Sequence, residues 1–205
     1  MFNDFRLIVG LGNPGPRFHT TRHNAGFLLV DRLIDKWSAK LIESNQLYSL
    51  WEAISGDVRL QLMKPMTYMN LSGNALLSYP RFEDIDRDAI LVAYDDVALP
   101  VGRIRVRPKG TAGGQRGMQH IVDCLGTTAI PRLRIGIGAP GPAGPSRSDY
   151  VLGQFGREEW CHFQAGLEAA EDAAALWLTA PMDLVMNRFN VKDMPGDGAT
   201  DNEPT

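Results

Sequence analysis

His23 is the residue best suited to move a proton, since an imidazole ordinarily titrates nearer neutrality than any other side chain. It stands in Thr20-Thr21-Arg22-His23-Asn24, just ahead of a stretch with helical periodicity. A lone histidine is more often structural than catalytic, and nothing lifts His19, His120 or His162 above that expectation. His23 differs in its company. Asn13 lies on a glycine-rich turn, Asn70 follows a strand end in Lys64-Pro65-Met66-Thr67-Tyr68-Met69-Asn70, and Asp95 closes a strand in Tyr94-Asp95-Asp96. A histidine, a carboxylate and two amides on neighbouring loops are groups able to move protons and to hold polar atoms.

These residues need elements to carry them. Residues 6–11 read as a short buried strand closed by a Gly/Pro turn. Over 24–39 the apolar side chains Phe27, Leu28, Val30, Leu33, Ile34 and Trp37 recur at helical spacing, with Asn24 placed to cap the helix. Residues 47–55 and 58–63 form a strand pair around Gly56-Asp57, and 71–82 a helix that Pro80 ends or kinks. Residues 89–94 make another buried strand, while 103–107 alternate Arg-Ile-Arg-Val-Arg as a half-buried strand with a basic outer face. A glycine loop over 109–114 precedes a helix at 118–125, a strand follows at 133–138, and an Ala/Glu-rich helix spans 157–178. Strands alternating with helices predict an α/β domain whose largely parallel or mixed sheet is covered on both faces. Ligands of such sheets bind outside the carboxyl ends of the strands, where Asn13, Asn70 and Asp95 can converge on His23.

Gly10-Leu11-Gly12-Asn13-Pro14-Gly15 matches the dinucleotide fingerprint letter for letter. The chemistry argues against that reading. Pro14 removes a backbone donor from the middle of the loop, and the helix whose N-terminus should receive a pyrophosphate starts only near Asn24. The loop is instead a tight turn that presents the Asn13 side chain.

Composition sets wider bounds. The chain has 205 residues, 44% of them hydrophobic, enough for one packed domain without disulfides. Cys124 and Cys161 stand in no metal or redox spacing, and the first apolar run is too short for a signal sequence or a membrane span. A cytoplasmic protein is expected. Net charge is −3, yet Arg103, Arg105, Arg107, Lys109, Arg116, Arg132 and Arg134 crowd into 101–135 against Asp123 alone. Such local basic surface suits phosphate contacts, and a solvated strand face is the plain alternative. The domain is expected over 1–191, followed by a disordered acidic tail over 192–205.

Taken in order, Leu-Ile-Val-Gly-Leu-Gly-Asn-Pro-Gly, Thr-Arg-His-Asn-Ala-Gly, Met-Asn-Leu-Ser-Gly, a strand-ending Asp, Gly-Gly-x-x-Gly and Leu-Arg-Ile-Gly-Ile-Gly resemble bacterial-type peptidyl-tRNA hydrolases over about residues 6–190. The resemblance implies a monomeric, single-domain α/β/α sandwich with a mixed central sheet. It implies cleavage of the ester between a peptide and the 3′ ribose of tRNA, with no metal or other cofactor. It assigns His23 as the base that activates water and Asp95 as its orienting acid. Asn13 would bind the peptide backbone, Asn70 would position substrate, and Tyr68 would offer a ring to the tRNA 3′ end. Phe18 stands where relatives usually have Tyr, so the ring is kept and a hydroxyl lost. In Gly113-Gly114-Gln115-Arg116-Gly117, where relatives commonly have His-Asn between glycines, Arg116 replaces a substrate-binding asparagine and can donate but not accept hydrogen bonds.

Plainer roles stand beside these. Asn70 could cap the next helix, Tyr68 could be a core aromatic, and Asp96 could partner His23 in place of Asp95. An RNA-binding protein of the same fold without turnover is the second functional class, although RNA binding alone would not need His23, Asp95 and Asn13 together.

Overall fold

Apolar side chains alternate along the central strands, and the alternation divides the molecule into two cores. In β1 (Asp4–Gly10) Leu7 and Val9 face one side and Ile8 the other; in β5 (Ile90–Asp96) Ile90, Val92 and Tyr94 face with the first pair, Leu91 and Ala93 with Ile8. A strand buried on both faces has to be covered twice. The structure is a computed structural model and describes residues 4–190; the acidic tail expected over 192–205 lies outside the described residues.

The sheet is completed by β2 (Lys40–Ser44), β3 (Tyr48–Ser55), β4 (Val58–Pro65), β6 (Ile104–Arg107) and β7 (Arg132–Gly136), in the order β2-β3-β4-β1-β5-β7-β6. The centre is parallel, with β1 beside β4 and β5, and β5 beside β7. The flanks are antiparallel: β2 with β3, β3 with β4, and β6 with β7. One face packs against α1 (Ala25–Trp37), α5 (Arg157–Trp177) and α6 (Met182–Phe189), through Leu29, Leu33, Phe163, Leu167 and Val185. The other packs against α2 (Ser72–Leu77) and α3 (Arg116–Leu125), through Leu76, Met118 and Ile121. The chain is thus a single α/β/α domain with a mixed sheet.

Several elements differ from expectation. The helix foreseen over 71–82 stops at Leu77, ahead of Pro80, because the residue before a proline is pushed out of helical geometry. Asn24 sits at the cap position of α1 but its side chain does not cap the helix; it bonds to Asn13 instead. Strand β2, exposed along its whole length, and the short helices α4 (Arg147–Leu152) and α6 were not foreseen.

Two glycines set how closely α1 approaches the sheet. A Cβ on Gly26 would overlap the Ala93 carbonyl oxygen and the Leu11 backbone nitrogen, and one on Gly10 would overlap the Gly26 carbonyl. The first glycine of the fingerprint-like loop therefore serves helix packing. Gly26→Ala should lower stability by about 2 kcal/mol, because backbone overlap outweighs the roughly 1 kcal/mol that alanine gains in helix propensity. A denaturant midpoint unchanged or raised in this variant would count against that account.

Candidate active site

The carboxyl ends of β4, β1 and β5, three neighbours in the sheet, supply the loops that meet over one open cleft of about 410 Å³. Asn13, Phe18, His23 and Tyr68 line it, as do Asn70, Asp95 and Arg116. The seven candidate site residues are therefore brought together, from positions as far apart as 13 and 116.

His23 lies on a tight 3-10 turn, Arg22–Asn24, that leads into α1. Its Nδ1 is 2.8 Å from Oδ2 of Asp95, and both residues are buried. A carboxylate only accepts, so Nδ1 carries the proton and donates, which leaves the Nε2 lone pair as the basic site. No hydrogen bond to another described residue occupies Nε2. Asp96 is not the partner: it points away, pairs with the Arg134 guanidinium and accepts the Ala98 N–H at 2.8 Å. Alternation along β5 separates the two acids, which explains why one letter of sequence decides the assignment.

The turn is held from behind. The Arg22 N–H donates to the Gly153 carbonyl at 3.0 Å, and its guanidinium bonds to the Gln154 carbonyl and to Glu159 at 2.7 Å. The same guanidinium lies 4.4 Å from the Tyr150 ring centre and 4.8 Å from that of Phe155. Burial works to raise the Glu159 carboxyl, but the Gly156 N–H and the Arg22 charge outweigh it and hold it below the usual range. These contacts fix His23 to the start of α5 and to α4, whose Val151 and Leu152 form part of the cleft wall.

Asn13 is held as firmly. Its backbone N–H donates to Asn24 Oδ1 at 2.8 Å, and its carbonyl accepts from Asn24 Nδ2 at 3.0 Å. Its own Oδ1 accepts the Met69 N–H at 2.9 Å, so Nδ2 is the end left for a ligand. Asn70, on the turn Met69–Leu71, has an exposed side chain that makes no hydrogen bond with a described residue. It does not cap α2, whose cap position is Leu71 and has no side-chain cap bond. Tyr68 is 57% exposed, which removes the core-aromatic alternative. Phe18 is half-buried under the Arg17 guanidinium, 4.4 Å from its ring centre. Arg116 is exposed at the first position of α3, and Arg147, which donates to the Gly113 carbonyl at 3.2 Å, faces the same cleft.

The half-buried strand expected over 103–107 is present, but the basic surface read over 101–135 needs correction at Arg132 and Arg134, which lie on β7. Arg132 is fully buried and gives its guanidinium to the carbonyls of Ile130, Thr111 and Thr128 at 3.0, 2.8 and 2.8 Å. Arg134 is engaged by Asp96. Both serve the fold, because buried guanidinium groups need partners wherever they lie. Exposed or half-exposed cations nearer the cleft, Arg17, Arg116 and Arg147, are better placed to meet an anion. Gln115 was not singled out at all, yet it is buried in the cleft floor and bonds to Asp95. Its sequence signals are its place at a glycine loop just before a helix, where capping residues gather, and its standing where relatives commonly have His.

Among the described residues, no group of three or more His, Cys, Asp or Glu is arranged to hold a metal ion. No helix among them is long and apolar enough to cross a membrane.

The chain is similar in sequence and in fold to proteins already known. The sequence pattern of the family described as peptidyl-tRNA hydrolase matches residues 7–196. The peptidyl-tRNA hydrolase of Moorella thermoacetica is 48% identical over 185 residues, covering 90% of this chain and 97% of that protein. The Bacillus subtilis enzyme of the same name is 42% identical over 188 residues, covering 91% and 98%. A crystal structure of peptidyl-tRNA hydrolase from Acinetobacter baumannii superimposes with a TM-score of 0.84 at 35% identity, covering 91% of this chain and 94% of that one.

Proposed function

Since this chain belongs to the peptidyl-tRNA hydrolase family, and hydrolyses the ester that joins a peptide to tRNA, we propose that His23 is the general base of the reaction and Asp95 its orienting acid. The observation that carries the proposal is the 2.8 Å contact between His23 Nδ1 and Asp95 Oδ2 at the edge of the cleft, with Nε2 bonded to no other described residue. Nε2 takes a proton from water as the water oxygen attacks the ester carbonyl. The tetrahedral species then expels the ribose 3′ oxygen, which receives the proton from the imidazolium, and peptide acid and tRNA leave. Asp95 keeps the proton on Nδ1 at the start and balances the imidazolium charge midway.

The remaining contacts follow from what each side chain offers. Asn13 Nδ2 donates to a peptide carbonyl, a group that a free aminoacyl ester lacks at that place. Asn70 positions the ester, and the exposed Tyr68 ring stacks on the terminal base of the acceptor end, with Phe18 packing nearby. Arg116, with Arg17 and Arg147, meets backbone phosphates. The protein works as a monomer in the cytoplasm, where charged tRNA is found.

Release of an N-blocked amino acid from charged tRNA, with unblocked aminoacyl-tRNA as control, is the deciding assay. Loss of release when the His23 imidazole is removed supports the base, and an unchanged rate overturns it. Asn13→Asp tests the peptide contact separately, because it keeps the acceptor for the Met69 N–H and removes the Nδ2 donor. KM for the blocked substrate should rise about tenfold or more, the scale of one lost hydrogen bond that leaves a buried carbonyl unpaired. An unaltered KM would remove Asn13 from substrate binding.

A further inference from the structure

Asp95 is gripped at both oxygens. Oδ2 accepts from His23, and Oδ1 accepts from Gln115 Nε2 at 3.0 Å. The other end of the same amide caps a helix: Gln115 Oε1 accepts the Met118 N–H at 2.6 Å, at the start of α3. Reversing the amide would set a carbonyl against a carboxylate and an NH2 group against an N–H, so these partners fix its orientation. Nε2 also lies 3.1 Å from Met69 Sδ, which leaves the buried side chain little room to swing. Gly113 and Gly114, with φ of 58° and 78°, turn the chain through left-handed conformations immediately before it.

A carboxylate held by one oxygen can still rotate about its Cβ–Cγ bond, because that torsion has a broad profile. Any such rotation carries the bonded imidazole with it. We propose that Gln115 is a positioning residue for the hydrolysis: it ties Asp95 to the capped start of α3, fixes the plane of the carboxylate and so directs His23 Nε2 at the attacking water. The inference rests on His23 as the base. It goes further in making the glycine loop and α3 part of the machinery that sets the direction of proton transfer. An amide suits the task because a single neutral group supplies both the acceptor the helix needs and the donor the carboxylate needs.

The test separates capping from tethering in the full-length protein. Gln115→Ser retains a hydroxyl that can cap α3 but is too short to reach Asp95, whereas Gln115→His offers a ring N–H to the carboxylate. With blocked aminoacyl-tRNA, the serine variant should lose about tenfold or more in kcat with little change in KM, the usual scale for removing a group that orients a catalytic ligand. Its denaturant midpoint should stay near that of the parent, and the histidine variant should recover most of the lost kcat. Unchanged kcat in the serine variant overturns the proposal, as does a loss seen in KM alone. Should the serine variant unfold, Gln115→Thr decides, since its hydroxyl keeps an acceptor for the Met118 N–H and is likewise too short to reach Asp95: lowered kcat supports the tether, and parental kcat overturns it. Measuring His23→Ala alongside keeps the two readings apart. If that variant is inactive while the Gln115 variants are normal, only the tether fails; if it retains full activity, the base assignment itself is at fault.

Discussion

His23→Ala should lower kcat for an N-blocked aminoacyl-tRNA by about 100-fold or more, the range associated with losing a general base. That corresponds to roughly 2.7 kcal/mol of transition-state stabilisation, at 1.36 kcal/mol per tenfold. On the proposed role the loss belongs in kcat, because a general base acts on the water and on the leaving oxygen more than on bound substrate. Removing the ring also leaves Asp95 buried with Oδ2 unpaired, so a modest drop in stability should accompany the loss. Circular dichroism and a denaturant midpoint on the same preparation separate the two effects. A folded variant that turns over within a few-fold of the parent would mean that another group moves the proton.

Asp95→Asn should be nearly as damaging, although it changes one atom. The Gln115 amide presents a donor to the Oδ1 side and is locked there by its bond to the Met118 N–H. The new side chain will therefore turn its carbonyl toward Gln115 and its NH2 toward His23. An NH2 facing Nδ1 forces the ring to accept there and to carry its proton on Nε2, where the base must be free. The fold survives and the tautomer is wrong; in a serine protease the equivalent change costs about 10⁴ in kcat. Here kcat should fall to within about tenfold of His23→Ala, and the double variant should be little worse than either single one, since residues that act as a unit are not additive. Multiplicative losses would show that the acid and the histidine work independently.

How much of this was legible in the sequence depended on whether the signal was local. β1 and β5 are apolar runs too short for helices, α1 carries its apolar residues on one stripe, and Pro14 with the late start of the helix set aside a dinucleotide site. β2 escaped because it is a fully exposed edge strand, and exposed strands show no burial period. α4 has six residues, fewer than two turns, so no amphipathic pattern can accumulate. The count of basic residues over 101–135 misled for a different reason. The period of 103–107 was real, but it said nothing of Arg132, whose guanidinium turns inward to three carbonyls that no pattern marks. Gln115 lies 20 residues from Asp95 and is uncharged, so neither spacing nor residue type announces the bond.

The neighbouring strand ends that carry the site have a consequence for the reaction coordinate. β4, β1 and β5 are adjacent parallel strands, set side by side at the pitch of about 4.8 Å that hydrogen bonding imposes on any sheet. On the proposed reading, the Asp95 carboxylate that faces the developing imidazolium charge is held by His23 and Gln115 before substrate arrives. Water around the same ester would have to reorient at the barrier; on that reading the fixed carboxylate takes part of this reorganisation out of the chemical step.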